Sequence, residues 1–385
     1  MDFAFTDEQL AIKETAERFA REKLAPDYQK READGQLDRA LVREMGELGL
    51  IAPDMAEEHG GPGLDCVTAG MLTEAIAYGD FGFSYVQLVA SLMGHVLSDH
   101  ANPDLTQEWV PKMVSGEKIV GIVLTEPRGG SDVANLVLKA EKSGNGYVLN
   151  GEKASMSFST QADGMVVFAR TGSIEDEGRG VSAFFVDLNE KGISRTAYND
   201  LGTKIVGRGS VFFDDVHIPA DCLLGEEGEG FRQIMHGFDY SRAMIDFQCL
   251  GATQASLDDA WTYSTEREAM GRPIAQYQGV TFPLAEAETY LTAARLLCYK
   301  TLWLRDHNQP HTSEAAMCKW WLPKTCVDVL HNCILTHGHM GYSMDMPHQQ
   351  RMRDVMGLEI GDGTAQIMKL IIAREKIGRV AVQYG

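Results

Sequence analysis

Near its C-terminal end the chain reads Met356-Gly357-Leu358-Glu359-Ile360-Gly361-Asp362-Gly363-Thr364-Ala365-Gln366-Ile367. One acid stands beside small residues that leave it exposable. An apolar helix follows and ends Ile371-Ile372-Ala373-Arg374-Glu375-Lys376-Ile377-Gly378-Arg379. Working upstream from this helix, over 364–380, three more long helices are predicted over 230–267, 277–306 and 312–337. Residues 230–267 contain no proline, so nothing in the stretch forces a break. Four long helices at one end of a chain predict a bundle.

Upstream of Gly225-Glu226-Glu227-Gly228-Glu229-Gly230, an acidic hinge, the texture changes. Ile119–Leu124 is a compact apolar run, followed by short candidate strands at 147–150, 165–169, 182–187 and 210–213. Glycine-rich or charged turns separate them, which predicts an antiparallel sheet or barrel. Before residue 118 the chain is helical again. Ile12, Ala16, Phe19, Ala20 and Leu24 keep a helical spacing, and further helices are expected near 38–48, 66–79, 83–99 and 103–114. The fold class is therefore α+β and mainly helical. It comprises an N-terminal helical domain over 1–117, a middle β domain over 118–227 and a C-terminal four-helix bundle over 228–385.

Composition narrows the function. The net charge of −20 argues against nucleic acid and anionic membranes as partners. No apolar run approaches the roughly 18 residues of a membrane span. The first turn, Phe5-Thr6-Asp7-Glu8-Gln9, reads as a capping box rather than a signal peptide. Seven scattered cysteines without a Cys-x-x-Cys predict free, buried thiols in a reducing, cytoplasmic setting. Neither a disulfide framework nor a metal site is expected.

Five further segments carry chemistry. Leu124-Thr125-Glu126-Pro127-Arg128-Gly129-Gly130-Ser131-Asp132-Val133 follows an apolar strand, and its glycines and hydroxyls suit close approach to a planar polar ligand; an ordinary turn would look similar. Asn150-Gly151-Glu152-Lys153-Ala154-Ser155-Met156-Ser157-Phe158-Ser159 reads equally as a serine-rich hairpin. Asp239 and Arg242, in Phe238-Asp239-Tyr240-Ser241-Arg242, share a helix face and could simply pair with each other. Glu266–Ile274, continuing to Gln278, reads as a charged helix end with a glycine cap or as an anion-binding Arg. The last is Leu335-Thr336-His337-Gly338-His339-Met340-Gly341-Tyr342-Ser343. His337 and His339 lack a third ligand at a sensible spacing, so they read as structural.

Taken in order, these segments resemble the acyl-CoA dehydrogenase family over essentially the whole chain, from Met1-Asp2-Phe3 to Arg374–Arg379. The resemblance implies an FAD enzyme that removes the alpha proton of an acyl-CoA thioester and passes a beta hydride to flavin N5. Asp362 stands where the family has its catalytic Glu, and Gly361 where it has a bulky residue. By the same resemblance Leu124, Thr125, Gly130, Ser131, Met156 and Ser157 meet the flavin, together with Thr364 and Gln366. Ser131 also lies near the pantetheine. Asp239, Ser241, Arg242, Gly361 and Gly363 meet the substrate. Arg267, Met270, Gln278, Leu335 and His339 hold the ADP half of FAD on a neighbouring subunit, which implies a homotetramer. An electron-transfer flavoprotein or similar acceptor reoxidises the flavin. Coenzyme A is a polyanion, so local cations such as Arg242 must hold it against the global charge.

Three departures stand out. Ser155 replaces an aromatic residue that shields the flavin, leaving its edge open or covered by Phe158 or Met156. Ser241 occupies the place where some members carry their base. Asp362 is one methylene shorter than Glu, a retreat of roughly 1.5 Å. Gly361 enlarges the pocket, so a wide acyl group can come closer to the short acid. The substrate this predicts is a cyclic or branched acyl-CoA, such as cyclohexane-1-carboxyl-CoA. Phe81–Ser98 contains no Asp or Glu, which favours ordinary alpha,beta elimination over remote elimination. Glu359 is a spare carboxylate expected to face solvent. The alternatives are a nitroalkane oxidase-like flavoenzyme using Asp362 as base, a linear short- or medium-chain acyl-CoA dehydrogenase, and a non-enzymatic family member.

Overall fold

The computed structural model describes residues 4–381. Met1-Asp2-Phe3, where the resemblance begins, lies outside them, as does the side chain of Arg379. Thr6 caps α1 (Asp7–Phe19): its hydroxyl accepts from Gln9 N, and the Gln9 side chain accepts from Thr6 N. The helix expected to run unbroken to Leu24 instead widens into a π turn over Ala20–Leu24 and tightens into a 3-10 turn over Ala25–Asp27. Pro26 lies in that turn and has no N–H to continue the helix. The chain then forms α2 (Tyr28–Asp34), α3 (Arg39–Glu47), α4 (Cys66–Gly79), α5 (Phe81–His100) and α6 (Pro103–Val114). One sequence reading needs correction: α5 is long and apolar enough to cross a membrane. Here 83% of its apolar window is buried against protein, so it is a core helix.

The middle domain holds β1 (Val120–Val123), β2 (Lys139–Ser143), β3 (Gly146–Met156), β4 (Gly164–Arg170), β5 (Val181–Asp187), β6 (Ile193–Arg195), β7 (Gly209–Pro219) and β8 (Leu223–Leu224). They form one sheet of order β6-β7-β3-β2-β4-β5-β8, and β1 pairs with β4. The sheet is not purely antiparallel, because β1 runs parallel to β4 and β2 meets β4 in parallel at Lys139 and Arg170. Of the strands between β1 and β4, only β3 reverses direction. The two ends of the sheet do not pair among the described residues, so the barrel option falls. β4 is buried along its whole length, as its Gly-Met-Val-Val-Phe-Ala-Arg composition requires.

The C-terminal part contains α7 (Gly230–Glu266), α8 (Gln278–Asp306), α9 (Thr312–His337), α10 (His348–Gly357) and α11 (Ala365–Ile377), with a short β9–β10 hairpin between α7 and α8 (Glu268–Ala269 and Arg272–Pro273). α10 is an addition to the expected bundle. Its ties are polar. Asp354 accepts from the Tyr28 hydroxyl at 2.5 Å and from Thr203 N at 2.5 Å, so it joins all three parts of the chain. Arg353 pairs with Glu32 and also donates to Leu201 O. Burial pushes the Asp354 carboxyl up to about 7. All seven cysteines are free, and five of them are buried.

A second buried pair fixes the loop after β1. Lys153 Nζ on β3 donates to Glu126 Oε1 and to Leu124 O, both at 3.0 Å. Glu126 in turn accepts from Val137 N and Leu138 N at 2.8 Å. The side chains are 0% and 3% exposed. Removing one partner of such a pair strands the other charge. Lys153→Met is expected to destabilise the protein by about 3–5 kcal/mol, read from the urea midpoint and by loss of bound FAD. An unchanged midpoint would refute the role.

Candidate active site

Asp362 sits in a tight turn between α10 and α11, with φ of +59°, followed by Gly363 at +101°. Asp tolerates the left-handed region better than most residues. Gly363 has no such choice, because its φ of +101° is a conformation in which an L side chain is strained. Gly361 differs: a Cβ would meet only Gly357 O at 3.6 Å and Leu358 Cδ2 at 3.9 Å. A Cβ would therefore meet only ordinary contacts at Gly361, and its absence leaves room beside the acid. Thr364 caps α11 by accepting from Ile367 N at 3.4 Å, and Gln366 is exposed.

The long helix α7 approaches the turn from the side. Ser241 Oγ donates to Asp362 Oδ2 at 2.6 Å. Ser241 is therefore a partner of the acid. Burial pushes the Asp362 carboxyl up, opposed by the Arg242 charge, the Ser241 hydrogen bond and Lys319. Arg242 is 5% exposed, and its Nη1 donates to Asp239 Oδ1 at 3.0 Å. The plain intrahelical ion pair thus exists, and Asp239 also accepts from Thr312 Oγ1 at 2.5 Å. Tyr85 on α5 is half-buried near Asp362, whose charge helps hold its phenol up after burial does. Glu359 is half-buried rather than solvent-facing.

Lys319 is the residue that sequence reasoning missed. It is 1% exposed, and its Nζ donates to Leu358 O at 2.5 Å and Gly363 O at 3.3 Å. A lysine within Ala-Ala-Met-Cys-Lys-Trp-Trp, an otherwise apolar run, was the available signal. Likewise, α5 carries no acid between Phe81 and Ser98, yet Asp54 from the loop between α3 and α4 reaches that helix. It accepts from Ser91 Oγ at 2.7 Å and meets His95 Nε2 at 2.8 Å. The structure also gathers Asp246, Cys298 and Cys318, whose polar atoms lie within 4.8 Å of one another, where no cation-binding group was expected.

The loop after β1 lies beside the 154–157 segment, because Ala154 N donates to Thr125 O at 2.9 Å. Thr125 and Ser157 are half-buried, and among the described residues neither hydroxyl has an intramolecular partner. Gly129, Gly130 and Ser131 are exposed. Two free hydroxyls above a glycine-rich loop fit the polar edge of a flavin. Leu124 and Met156 are buried beneath. Phe158 and Met156, expected as alternative covers for the flavin edge, are 0% and 1% exposed and belong to the apolar core. Ser155 is exposed, with φ of +59°.

Arg267, Met270, Gln278, Leu335 and His339 are all exposed, Met270 at 94%. Arg267 lies 26 residues along the chain from Ser241, or roughly 39 Å of helix. The two groups of proposed cofactor residues are therefore separate within one chain. His337 is buried and stacks on Tyr263, with ring centroids 4.5 Å apart, and beside His348 at 4.2 Å. Burial, together with the neighbouring His337, pulls His348 down to about 3.

The chain matches the acyl-CoA dehydrogenase N-terminal domain over residues 6–117, the middle domain over 121–216 and the C-terminal domain over 228–377. It is 34% identical to the short-chain specific acyl-CoA dehydrogenase of Rattus norvegicus mitochondria, covering 94% of this chain and 88% of that one. It is 33% identical to the benzylmalonyl-CoA dehydrogenase of Aromatoleum aromaticum, covering 97% and 99%. A glutaryl-coenzyme A dehydrogenase complex with glutaryl-CoA superposes with a TM-score of 0.95, at 30% identity over 100% of this chain and 99% of that one. The chain belongs to the acyl-CoA dehydrogenase family. It is an FAD-dependent oxidoreductase that acts on acyl-CoA.

A carboxyl group held up by burial and down by a hydroxyl yields a directional prediction. As the expected base, Asp362 can accept a proton only when ionised, which predicts activity falling on the acid side of its pKa. Ser241→Ala removes a bond that lowers that pKa. The acid limb of the kcat/KM profile should move to higher pH. A limb that stays in place shows that the Ser241 bond does not act on the working base.

Proposed function

We propose that this enzyme performs alpha,beta-dehydrogenation of a cyclic or branched acyl-CoA, such as cyclohexane-1-carboxyl-CoA, with Asp362 as the base. The observation that carries the reading is the turn itself. A short acid is aimed by Ser241 beside Gly361, where a Cβ would meet only ordinary contacts and is missing. A ring bearing its carboxyl on a tertiary carbon needs that width. The relative acting on benzylmalonyl-CoA carries a ring in its named substrate, while the short-chain relative favours a linear reading.

The work of the chain's own residues follows from chemistry. Ser241 fixes one oxygen of Asp362 and leaves Oδ1 to take the alpha proton. Burial raises the carboxyl toward the operating range, where a base is most effective. The Gly361 N–H is taken up by Gly357 O, so the backbone N–H of Asp362 is the group suited to hold the thioester carbonyl as negative charge develops. Thr125 and Ser157 orient the cofactor's polar edge. FAD, when bound, supplies the acceptor for the beta hydrogen. Arg242 is largely neutralised by Asp239, so its part in holding coenzyme A is through the pair rather than as a free charge.

The exposed Arg267, Met270, Gln278, Leu335 and His339 support a homotetramer in which a second chain supplies the ADP-binding residues. Met340, Tyr342 and Met344 add exposed apolar surface near them, at 45%, 86% and 67%. Seven free thiols support a reducing, cytoplasmic setting. An electron-transfer flavoprotein is the acceptor this reading expects.

Anaerobic flavin reduction across a thioester panel tests the substrate. Cyclohexane-1-carboxyl-CoA should exceed straight C4–C8 thioesters in kcat/KM by about tenfold or more. Gly361→Ile should reverse the order by filling the space. A strong preference of the wild type for straight chains would sink the cyclic reading, and reduction by nitroalkanes instead would move the protein to the oxidase class.

A further inference from the structure

We propose that Lys319 is a positioning residue for the base: its ammonium ties together the two ends of the turn that carries Asp362. The inference rests on Asp362 being the base. Lys319 lies inside the bundle on α9, and its hydrogen bonds go to Leu358 O and Gly363 O. These carbonyls bracket the Glu359–Asp362 stretch. Leu358 follows the end of α10, and Gly363 precedes the cap of α11. Neither helix offers its carbonyl a partner, so without Lys319 the buried Leu358 carbonyl and the half-buried Gly363 carbonyl would lose theirs.

A buried ammonium is a costly way to satisfy two carbonyls. The surroundings show what offsets that cost. Asp246, Cys249 and Arg242 on α7, Cys318 on α9 and Asp362 on the turn are the titratable and charged groups around Lys319. Tyr85 on α5 faces the same carboxyl. Asp246 is fully buried, and neither of its oxygens has a hydrogen-bond partner. Its neighbours are the Cys298 and Cys318 thiols. Burial pushes the Asp246 carboxyl up and the Lys319 amine down, and each opposes the other's shift, while Lys319 keeps its protons for the turn. An apolar residue at 319 would fill the same space without these costs. The ammonium both pins the backbone that aims Asp362 and favours the ionised form of that acid.

The test compares Lys319→Met, the double variant Lys319→Met/Asp246→Leu, and Asp362→Asn, each as the FAD-loaded enzyme with the best thioester of the panel. Lys319→Met should lower kcat on the order of 10²-fold, the loss expected for a base displaced by about 1 Å, and leave KM within about threefold. Its acid limb should move to higher pH. The double variant removes the unpartnered Asp246 carboxyl, so thermal stability should recover while kcat stays low. Recovery of both kcat and the acid limb in the double variant would overturn the proposal, because Lys319 would then serve only to neutralise Asp246. Wild-type kcat in Lys319→Met alone would overturn it as well. Asp362→Asn separates the two ideas: if it turns over normally, the base itself is misassigned; if it is inactive while Lys319→Met is normal, only the positioning role fails.

Discussion

The hydrogen bond from Ser241 to Asp362, 2.6 Å long, decides where a short carboxylate can point. An acid one methylene shorter than glutamate cannot search for its target, so the backbone must deliver it. The left-handed φ at Asp362 and the obligatory glycine after it make that delivery possible. On the proposed reading, the space beside Gly361 is the complementary half: the acid reaches less far, and the substrate comes further. α7 supplies the serine, α9 the lysine beneath, and α10 the anchor that precedes the turn.

That anchor shows why the three parts of the chain act together. Asp354 lies eight residues before Asp362 and takes hydrogen bonds from the N-terminal and middle parts. The buried Glu126–Lys153 pair performs the same service for the loop after β1. In both places buried polar groups, fully partnered, fix a loop that packing alone would leave loose. Asp246 and the Nε of Arg242, by contrast, lack hydrogen-bond partners, and both lie in the surroundings of Lys319.

Much of this was legible in the residues and some was not. The long helix α7 was readable because nothing in 230–267 interrupts it. The capping box at Thr6 was readable because both of its partners lie within four residues. α10 was not, because His348-Gln349-Gln350-Arg351 shows no apolar stripe and its ties are to residues far away in sequence. β2 was missed because Lys139-Ala140-Glu141-Lys142-Ser143 is mostly charged and exposed. The parallel pairing of β1 depends on connections, which local patterns do not encode. In the site, Asp362 and its glycines were visible as a motif. The roles of Ser241 and Lys319 were not, since a hydroxyl and an ammonium declare their partners only in three dimensions. Phe158 illustrates the converse: an aromatic near a site in sequence turned into the core.

The most direct measurement is a crystal structure of the FAD-loaded enzyme with a non-reducible analogue of a cyclic acyl-CoA. The account predicts Asp362 Oδ1 within about 3–3.5 Å of the ring carbon that bears the thioester, with Ser241 still donating to Oδ2 and the ring lying over Gly361. A carboxyl turned away from that carbon, or another acid such as Glu359 nearer to it, would contradict the account.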